Sequence, residues 1–333
     1  MSVARPEIAR FVAERYPGAP LVRLAGDGST RSFFRIMPSA GPSLVVMDYG
    51  KPVASPTDDE AMTSVFSGAG LPVPAIREAW PVLGLLVIED LGDTSLESKL
   101  LSDRHAFGPG SEPPDLLLRA VDLAADVARL GTPVLTASAR AAGPRLDRAR
   151  FQFEMDFFQE HFVQGHLHQP GHSPRLDSAL ARLAEMAADC PRVLCHRDFH
   201  SRNLIVRPGG DLAMVDIQDA RWGPDSYDLA SIVRDAYLPI PDAWVDPLVL
   251  RYFDRVDGIE DLAAFRARFH VVSTQRMIKV LGSFGHLSKV RGPRYLASIA
   301  PTAARLRRSM PIHPVTSELL SLLDAAGALP GND

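Results

Sequence analysis

The sequence predicts an α+β chain in two unequal parts, a small β-rich part over residues 1–91 and a larger helical part over 92–333. Three observations carry this. At 333 residues the chain has room for two domains, or two lobes of one, at about 150 residues per domain. Before Leu91, short runs of β-branched and aromatic residues alternate with turn chemistry. Beyond Leu91 helical periodicity takes over, with one β interruption.

Ile8, Phe11, Val12 and Arg15 recur at helical spacing, which predicts an amphipathic helix over 5–15. Three strands follow, LVRL at 21–24, SFFRIM at 32–37 and SLVVMDY at 43–49, separated by the turns GDGST and PSAGP. Thr57 or Asp58 can cap a helix running to Ala69, and Gly70 is placed to end it. VPAIREA and GLLVIED read as two further strands, so a small antiparallel sheet with one inserted helix fits the order. A hinge falls near Glu89–Gly92, and GPGSEPPD at 108–115 is a loop. Helices are predicted over 115–130, 147–165, 174–189, 226–237, 242–257, 260–288 and 315–326, the longest with a candidate break at Gly282. The β interruption is VLCH at 193–196, NLIV at 203–206 and LAMVD at 212–216, with a turn at 209–211.

Composition excludes several classes. The hydrophobic fraction of 46% and charged fraction of 23% are those of a globular chain with a real core, not a disordered or fibrous one. With 36 basic and 40 acidic residues the net charge is −4, which argues against a surface devoted to nucleic-acid phosphates. No aromatic stacking platform accompanies the arginines, so no nucleic-acid partner is expected. PVLGLLVI at 81–88 is far too short for a membrane span, and Glu7 and Glu14 interrupt what a signal peptide would need as an apolar core. The expectation is a cytoplasmic protein without a membrane partner. Cys190 and Cys195 make neither a disulfide scaffold nor a CxxC zinc spacing. Cys195 and His196, adjacent on a strand, point to opposite faces and do not form a nucleophile pair.

The chemistry concentrates in HRDFHSRN at 196–203 and, after the hairpin, in MVDIQD at 214–219. A strand ends at His196, so Asp198 and Asn203 fall on the connecting loop, where functional groups gather. Asp198 is an acid able to accept a proton from a hydroxyl nucleophile. Asn203 offers a neutral oxygen ligand and Asp216 an anionic one, a pair that suits Mg²⁺, which fills its shell with phosphate and water. A nucleophile-orienting acid and a metal site are the parts that phosphoryl transfer requires. Asp228 lies beyond the N-cap candidates Asp225 and Ser226, at a place suited to brace the loop.

HRDFHSRN followed by VDIQDARWGPDSYDLAS resembles the aminoglycoside phosphotransferase/choline kinase branch of the kinase-like fold. The likeness is closer to kinases that phosphorylate N-acetylmuramate and N-acetylglucosamine at the anomeric hydroxyl. It runs the length of the chain through GDGSTRSFFR at 26–35, LLVIEDLGD at 85–93, FQFEMDFF at 151–158, QRMIKVLGSFGHL at 275–287 and RGPRYL at 291–296. The resemblance implies a bilobal protein-kinase-like fold, with a nucleotide-binding N-lobe over 1–91 and a helical C-lobe over 92–333 carrying the catalytic loop. It implies ATP and Mg²⁺, Asp198 as catalytic base, Asn203 and Asp216 as metal ligands, and Asp228 as a structural brace. Gly28, Ser29, Thr30 and Arg31 occupy the nucleotide-loop position, although GDGS is also an ordinary hairpin turn. The backbones of Glu89 and Leu91 would meet the adenine edge.

One departure stands out. Kinases place a lysine on the third strand, paired with a helix glutamate, to hold the α- and β-phosphates. Here that strand reads LVVMDYG, with Met47 near the expected position, Lys51 beyond the strand and Glu60 on the next helix. Either Arg31 or Lys51 substitutes, or metal and backbone hold the phosphates.

On the substrate side, Phe151, Met155 and Phe158 take core spacing and leave Glu154 as a candidate for sugar hydroxyls. His200 and Asp219 sit on short segments beside Asp198 and Asp216. Arg276 or Lys279 can meet an anionic group such as the lactyl carboxylate of N-acetylmuramate, and a solvated face is the plainer account of these cations. Arg202 reads as a surface residue, and Trp80, Trp222 and Trp244 as core, with Trp222 the one to watch. The partner is then a small sugar, with no oligomeric state legible. Two other readings stay open: a kinase of another hydroxylated metabolite, such as an aminoglycoside or choline-like alcohol, and a nucleotide-binding pseudokinase.

Overall fold

Helix α1 (Pro6–Arg15) carries proline in its first turn, where no N–H is needed, and buries Ile8, Phe11 and Val12. The computed structural model describes residues 4–24, 31–103, 106–108, 110–256, 258 and 261–330. Strands β1 (Leu21–Arg23), β2 (Ser32–Ile36) and β3 (Leu44–Asp48) come next, then helix α2 (Asp58–Gly68) and strands β4 (Ile76–Trp80) and β5 (Leu85–Glu89). They build one antiparallel sheet of five strands in the order β1-β2-β3-β5-β4. Register sets Phe34 opposite Val46 and Val46 opposite Val87, a row on one face. With Ile36 and Leu85, that row packs with Ile8, Phe11 and Val12 of α1. Met47, one residue on from Val46, points to the other face.

Thr57 rather than Asp58 caps α2. Its Oγ1 accepts from the Glu60 N–H at 3.2 Å, and the Glu60 carboxylate accepts from the Thr57 N–H at 2.7 Å.

The remainder is largely helical. It begins with α3 (Leu96–Leu101), α4 (Asp115–Asp126), α5 (Thr132–Ala137), α6 (Arg148–Phe158) and α7 (Pro174–Ala188). Four short strands follow, β6 (Arg192–Cys195), β7 (Leu204–Val206), β8 (Leu212–Met214) and β9 (Arg221–Pro224). The last helices are α8 (Tyr227–Val233), α9 (Val245–Phe253), α10 (Leu262–Val290), α11 (Ile299–Ser309) and α12 (Pro314–Ala325). Single π-helical turns at Val127–Gly131 and Gln159–Gln164 continue α4 and α6.

The chain divides into two compact units, residues 1–94 with 205–218, and residues 95–204 with 219–333. The hairpin segment joins the first unit by backbone bonds from Val206 N–H to Thr94 O and from Met214 N–H to Pro72 O, each 2.8 Å. In the second unit, β6 pairs antiparallel with β9, Cys195 opposite Arg221.

Three differences from the sequence-based expectation have physical reasons. Arg221–Pro224 is a strand although its glycine and proline read as a turn, because β6 supplies a partner. Helix α8 stops at Val233 rather than near 237, since the Asp235 carboxylate is drawn to the N–H groups of Ser201 and Tyr237. Helix α10 runs 29 residues without a break at Gly282. A Cβ at Gly282 would lie 2.9 Å from Phe158 Cα, and one at Gly285 would lie 2.5 Å from His161 O, so both glycines serve close helix packing. Helices α3, α5 and α11 lay outside the predicted set. No helix among the described residues is long and apolar enough to cross a membrane.

Candidate active site

Strand β6 ends at Cys195, and buried carboxylates hold the backbone that follows. Asp228, on α8 and 4% exposed, accepts from the N–H groups of His196 at 2.6 Å and Arg197 at 3.0 Å. Asp235, fully buried, accepts from Ser201 N–H at 2.6 Å and Tyr237 N–H at 2.7 Å. Upstream, Leu194 N–H donates to Thr132 Oγ1 at 2.9 Å, just after the first π-helical turn. Between these anchors Arg197 takes a left-handed backbone, φ +80°, which is uncommon outside glycine.

Asp198 follows, its side chain a quarter exposed, with Oδ1 accepting from Lys279 Nζ at 3.3 Å. Burial works against its ionisation, but Lys279, then Arg197 and His200, hold the carboxyl well below the usual carboxylate range. Asp198 is therefore an anion at neutral pH. Asn203 Nδ2 donates to the Asp198 carbonyl at 3.0 Å, which leaves Oδ1 as its acceptor, unpaired among the described residues.

Glu154 is buried rather than solvated. It accepts from Gln275 Nε2 at 2.9 Å and Arg150 Nε at 3.3 Å, so α6 and α10 share it. Arg276, 3% exposed, makes no hydrogen bond or ion pair among the described residues, and its guanidinium carbon lies 5.9 Å from the Tyr227 ring centroid. The Tyr227 hydroxyl is also buried, with no hydrogen-bond partner among the described residues. Asp219 takes Arg197 Nη1 at 2.9 Å and Arg221 Nη2 at 2.8 Å. Burial pushes His200 down to about 4, against the pull of Asp235 and Asp198, so its ring is neutral at pH 7.

Of the residues singled out from the sequence, Lys279 meets Asp198 directly, and Asp219 pairs with Arg197, whose charge also acts on Asp198. Arg202 is not a free surface residue: it pairs with both oxygens of Glu97 and lies 3.6 Å over the Tyr237 ring. Trp222 donates from Nε1 to Ala141 O at 2.9 Å, a structural anchor. Burial keeps the Cys195 thiol far above its ordinary range and thus protonated. Sequence reasoning missed Tyr227, Arg150 and Asp235. Asp235 carried one signal, since it stands two helical turns beyond Asp228.

In the first unit, Asp216 also has a left-handed backbone, φ +64°. Its carboxylate, 42% exposed, accepts from Arg31 Nη2 at 2.9 Å. Glu89 is engaged by Ala75, donating its N–H to Ala75 O and accepting the Ala75 N–H on its carboxylate. Leu91 is buried just beyond the strand. Arg35, on β2, clamps Asp90 and Asp93 on either side of it with four hydrogen bonds of 2.6–2.9 Å. Gly28, Ser29 and Thr30 lie outside the described residues.

Oxygen donors of this kind fit Mg²⁺. Asn203 keeps its carbonyl oxygen unpaired among the described residues because its amide nitrogen is committed, and Asp216 offers a partly exposed carboxylate. Among the described residues no cluster of three or more His, Cys, Asp or Glu side chains forms a metal cage. A magnesium ion that keeps water and phosphate oxygens in its shell needs none.

Known proteins share this chain's plan. The N-acetylmuramate/N-acetylglucosamine kinase of Neisseria meningitidis serogroup B is 29% identical over 320 residues, covering 89% of each chain. The kinase of the same name from Pseudomonas putida is 29% identical over 328 residues, covering 92% of this chain and 88% of its own. A choline/ethanolamine kinase family protein from Mesorhizobium loti superposes with a TM-score of 0.58 at 19% identity, over 96% of this chain and 95% of that one. The choline kinase of Cryptosporidium parvum does so with a TM-score of 0.58 at 14% identity, over 97% of each. These solved structures establish the fold, an antiparallel five-stranded sheet followed by a largely helical region. The phosphotransferase enzyme family profile, APH, matches residues 20–268, a span that holds Arg31, Asp198, Asn203, Asp216 and Asp228. With well over half of its length matched, this chain belongs to that family and is a phosphotransferase acting on a small molecule.

Proposed function

We propose that this phosphotransferase moves the γ-phosphoryl group of ATP, with Mg²⁺, onto the anomeric hydroxyl of an N-acetylated amino sugar. The sugar is N-acetylmuramate or N-acetylglucosamine, and the product is a sugar 1-phosphate of cytoplasmic peptidoglycan recycling. The carrying observation is likeness along nearly the whole chain to two kinases named for these sugars. Residues 1–91 form the nucleotide-binding part in this reading, and 92–333 the catalytic and substrate part.

Asp198 orients the anomeric O–H and takes its proton as the oxygen bonds to the γ-phosphorus and the bond to the ADP oxygen breaks. Lys279 and Arg197 keep Asp198 ionised, so it accepts that proton late and acts first as an orienting anion. Asn203 and Asp216 hold Mg²⁺, which when bound neutralises charge on the phosphates. Leu91 offers its backbone to adenine, with Glu89 contributing less because its N–H is taken. Glu154, Asp219 and His200 meet sugar hydroxyls and the acetamido group.

Electrostatics bear on the substrate. Arg150, Arg197, Arg221, Arg276 and Lys279 gather near Asp198, Glu154 and Asp219, an excess of cations over the carboxylates not spent on main-chain N–H groups, as Asp228 and Asp235 are. Such a setting suits an acidic sugar and disfavours a polycationic aminoglycoside. Of Arg276 and Lys279, Arg276 is the one without an ion-pair partner among the described residues, which favours it for a lactyl carboxylate.

Purified protein with ATP and Mg²⁺ is offered a panel of N-acetylated and free hexoses, and loss of the reducing end is followed. Sugar-dependent ADP release with disappearance of the reducing end is expected. A phosphorylated product that remains reducing would sink the anomeric reading and leave the kinase reading standing.

A further inference from the structure

A cation missing from the third strand can be supplied from elsewhere in the sheet. Met47 stands on β3, and Lys51 beyond it is exposed. The Arg31 guanidinium, which enters from the residue before β2, lies beside Met47, with Nη1 3.9 Å from the sulfur. Nη1 donates to both oxygens of Asp59 on α2, at 2.6 and 2.8 Å, and both side chains are nearly buried. Tyr49 Oη donates to the same carboxylate at 2.6 Å. Glu60 is not the helix partner, because its carboxylate is spent on Thr57 N–H and Ser55 Oγ.

This layout reproduces the strand-cation and helix-acid pair of kinases by another route. We infer that Arg31 takes the place of the third-strand lysine, holding the α- and β-phosphates of the nucleotide, with Asp59 as the residue that positions it. A guanidinium offers five donors in a fixed fork, so Asp59 can hold one edge while the other faces an anion. That other edge now meets Asp216, the proposed metal ligand, as expected of a cation stationed where phosphates and metal converge.

The inference rests on the reading of the chain as a nucleotide-dependent kinase, and its test separates the two. Binding of MgADP is measured by calorimetry and of adenosine by saturation-transfer NMR, for wild type, Arg31→Gln, and Arg31→Gln combined with Met47→Lys. Arg31→Gln is expected to weaken MgADP binding about tenfold or more, while adenosine changes less than twofold. Adding Met47→Lys returns a cation to Asp59 and recovers most of the MgADP affinity. Unchanged MgADP binding in Arg31→Gln, an equal loss for adenosine, or no recovery with Met47→Lys overturns the assignment. Wild-type protein that binds neither ligand overturns the nucleotide reading along with it. Wild-type protein that binds MgADP but turns over no sugar removes only the sugar reading.

Discussion

The two units anchor their candidate catalytic residues in opposite ways. In the first unit, which holds Asp216, charged side chains hold one another: Arg31 bridges Asp59 and Asp216, and Arg35 clamps Asp90 and Asp93. Around Asp198 in the second, carboxylates hold main chain: Asp228 takes the N–H groups of His196 and Arg197, and Asp235 takes that of Ser201. Both segments contain a non-glycine residue with a left-handed backbone, Asp216 and Arg197. The difference teaches which part is built to exchange partners. A side-chain ion pair can hand one partner to an incoming phosphate or metal, whereas a buried N–H without its acceptor has nowhere to turn. The first arrangement suits a nucleotide that arrives and leaves, the second a base that must be positioned beforehand.

The largest expected effect tests the pre-positioned side. Asp198→Asn keeps the shape but loses the proton acceptor, and steady-state assays should show kcat reduced about 10²- to 10⁴-fold. Nucleotide affinity from calorimetry should stay within a few-fold. A variant with wild-type kcat would remove Asp198 from the chemistry and the comparison with it.

The next test compares the anchors themselves. Asp228→Ala strands two buried N–H groups, each costing about 1–3 kcal/mol, so denaturant unfolding should show a loss of several kcal/mol. Asp93→Ala removes a largely exposed carboxylate from Arg35, which keeps Asp90, and should cost at most about 1 kcal/mol. Equal losses in the two variants would erase the distinction between main-chain and side-chain anchoring.

The smallest effect is a pH dependence of the second unit. Burial holds His200 and His270 down to about 4, below the ordinary histidine value near 6.5. Between about pH 6.5 and 4 the unfolded chain binds protons that these folded sites refuse. Stability is therefore full above that window and falls as pH drops through it. His270→Gln should flatten the plot of melting temperature against pH, and an unchanged slope would deny His270 that role.

Much of this was legible from residue order. Helix α1, the strands of the first sheet and the placement of Phe151, Met155 and Phe158 in the core follow from spacing, because each is a local periodicity. The candidate site stood out in the sequence because Asp198, Asn203 and Asp216 are close along the chain. Strand β9 was not, since RWGP has turn chemistry and becomes a strand only beside β6. Gly282 looked like a helix break and proved to be a packing contact with Phe158, a neighbour that periodicity cannot name.

By itself the sequence determined the α+β class, the family motif and the kinds of atom available for phosphoryl transfer, all properties of residues near one another along the chain. Only the tertiary structure decided that Lys279 meets Asp198, that Asp235 holds Ser201, and that Arg31 chooses Asp59 over Glu60. Those choices depend on which side chains meet across long loops, and the capping box that occupies Glu60 is settled by backbone geometry at the start of α2. Composition names the charges present, and burial with distance decides which of them pair.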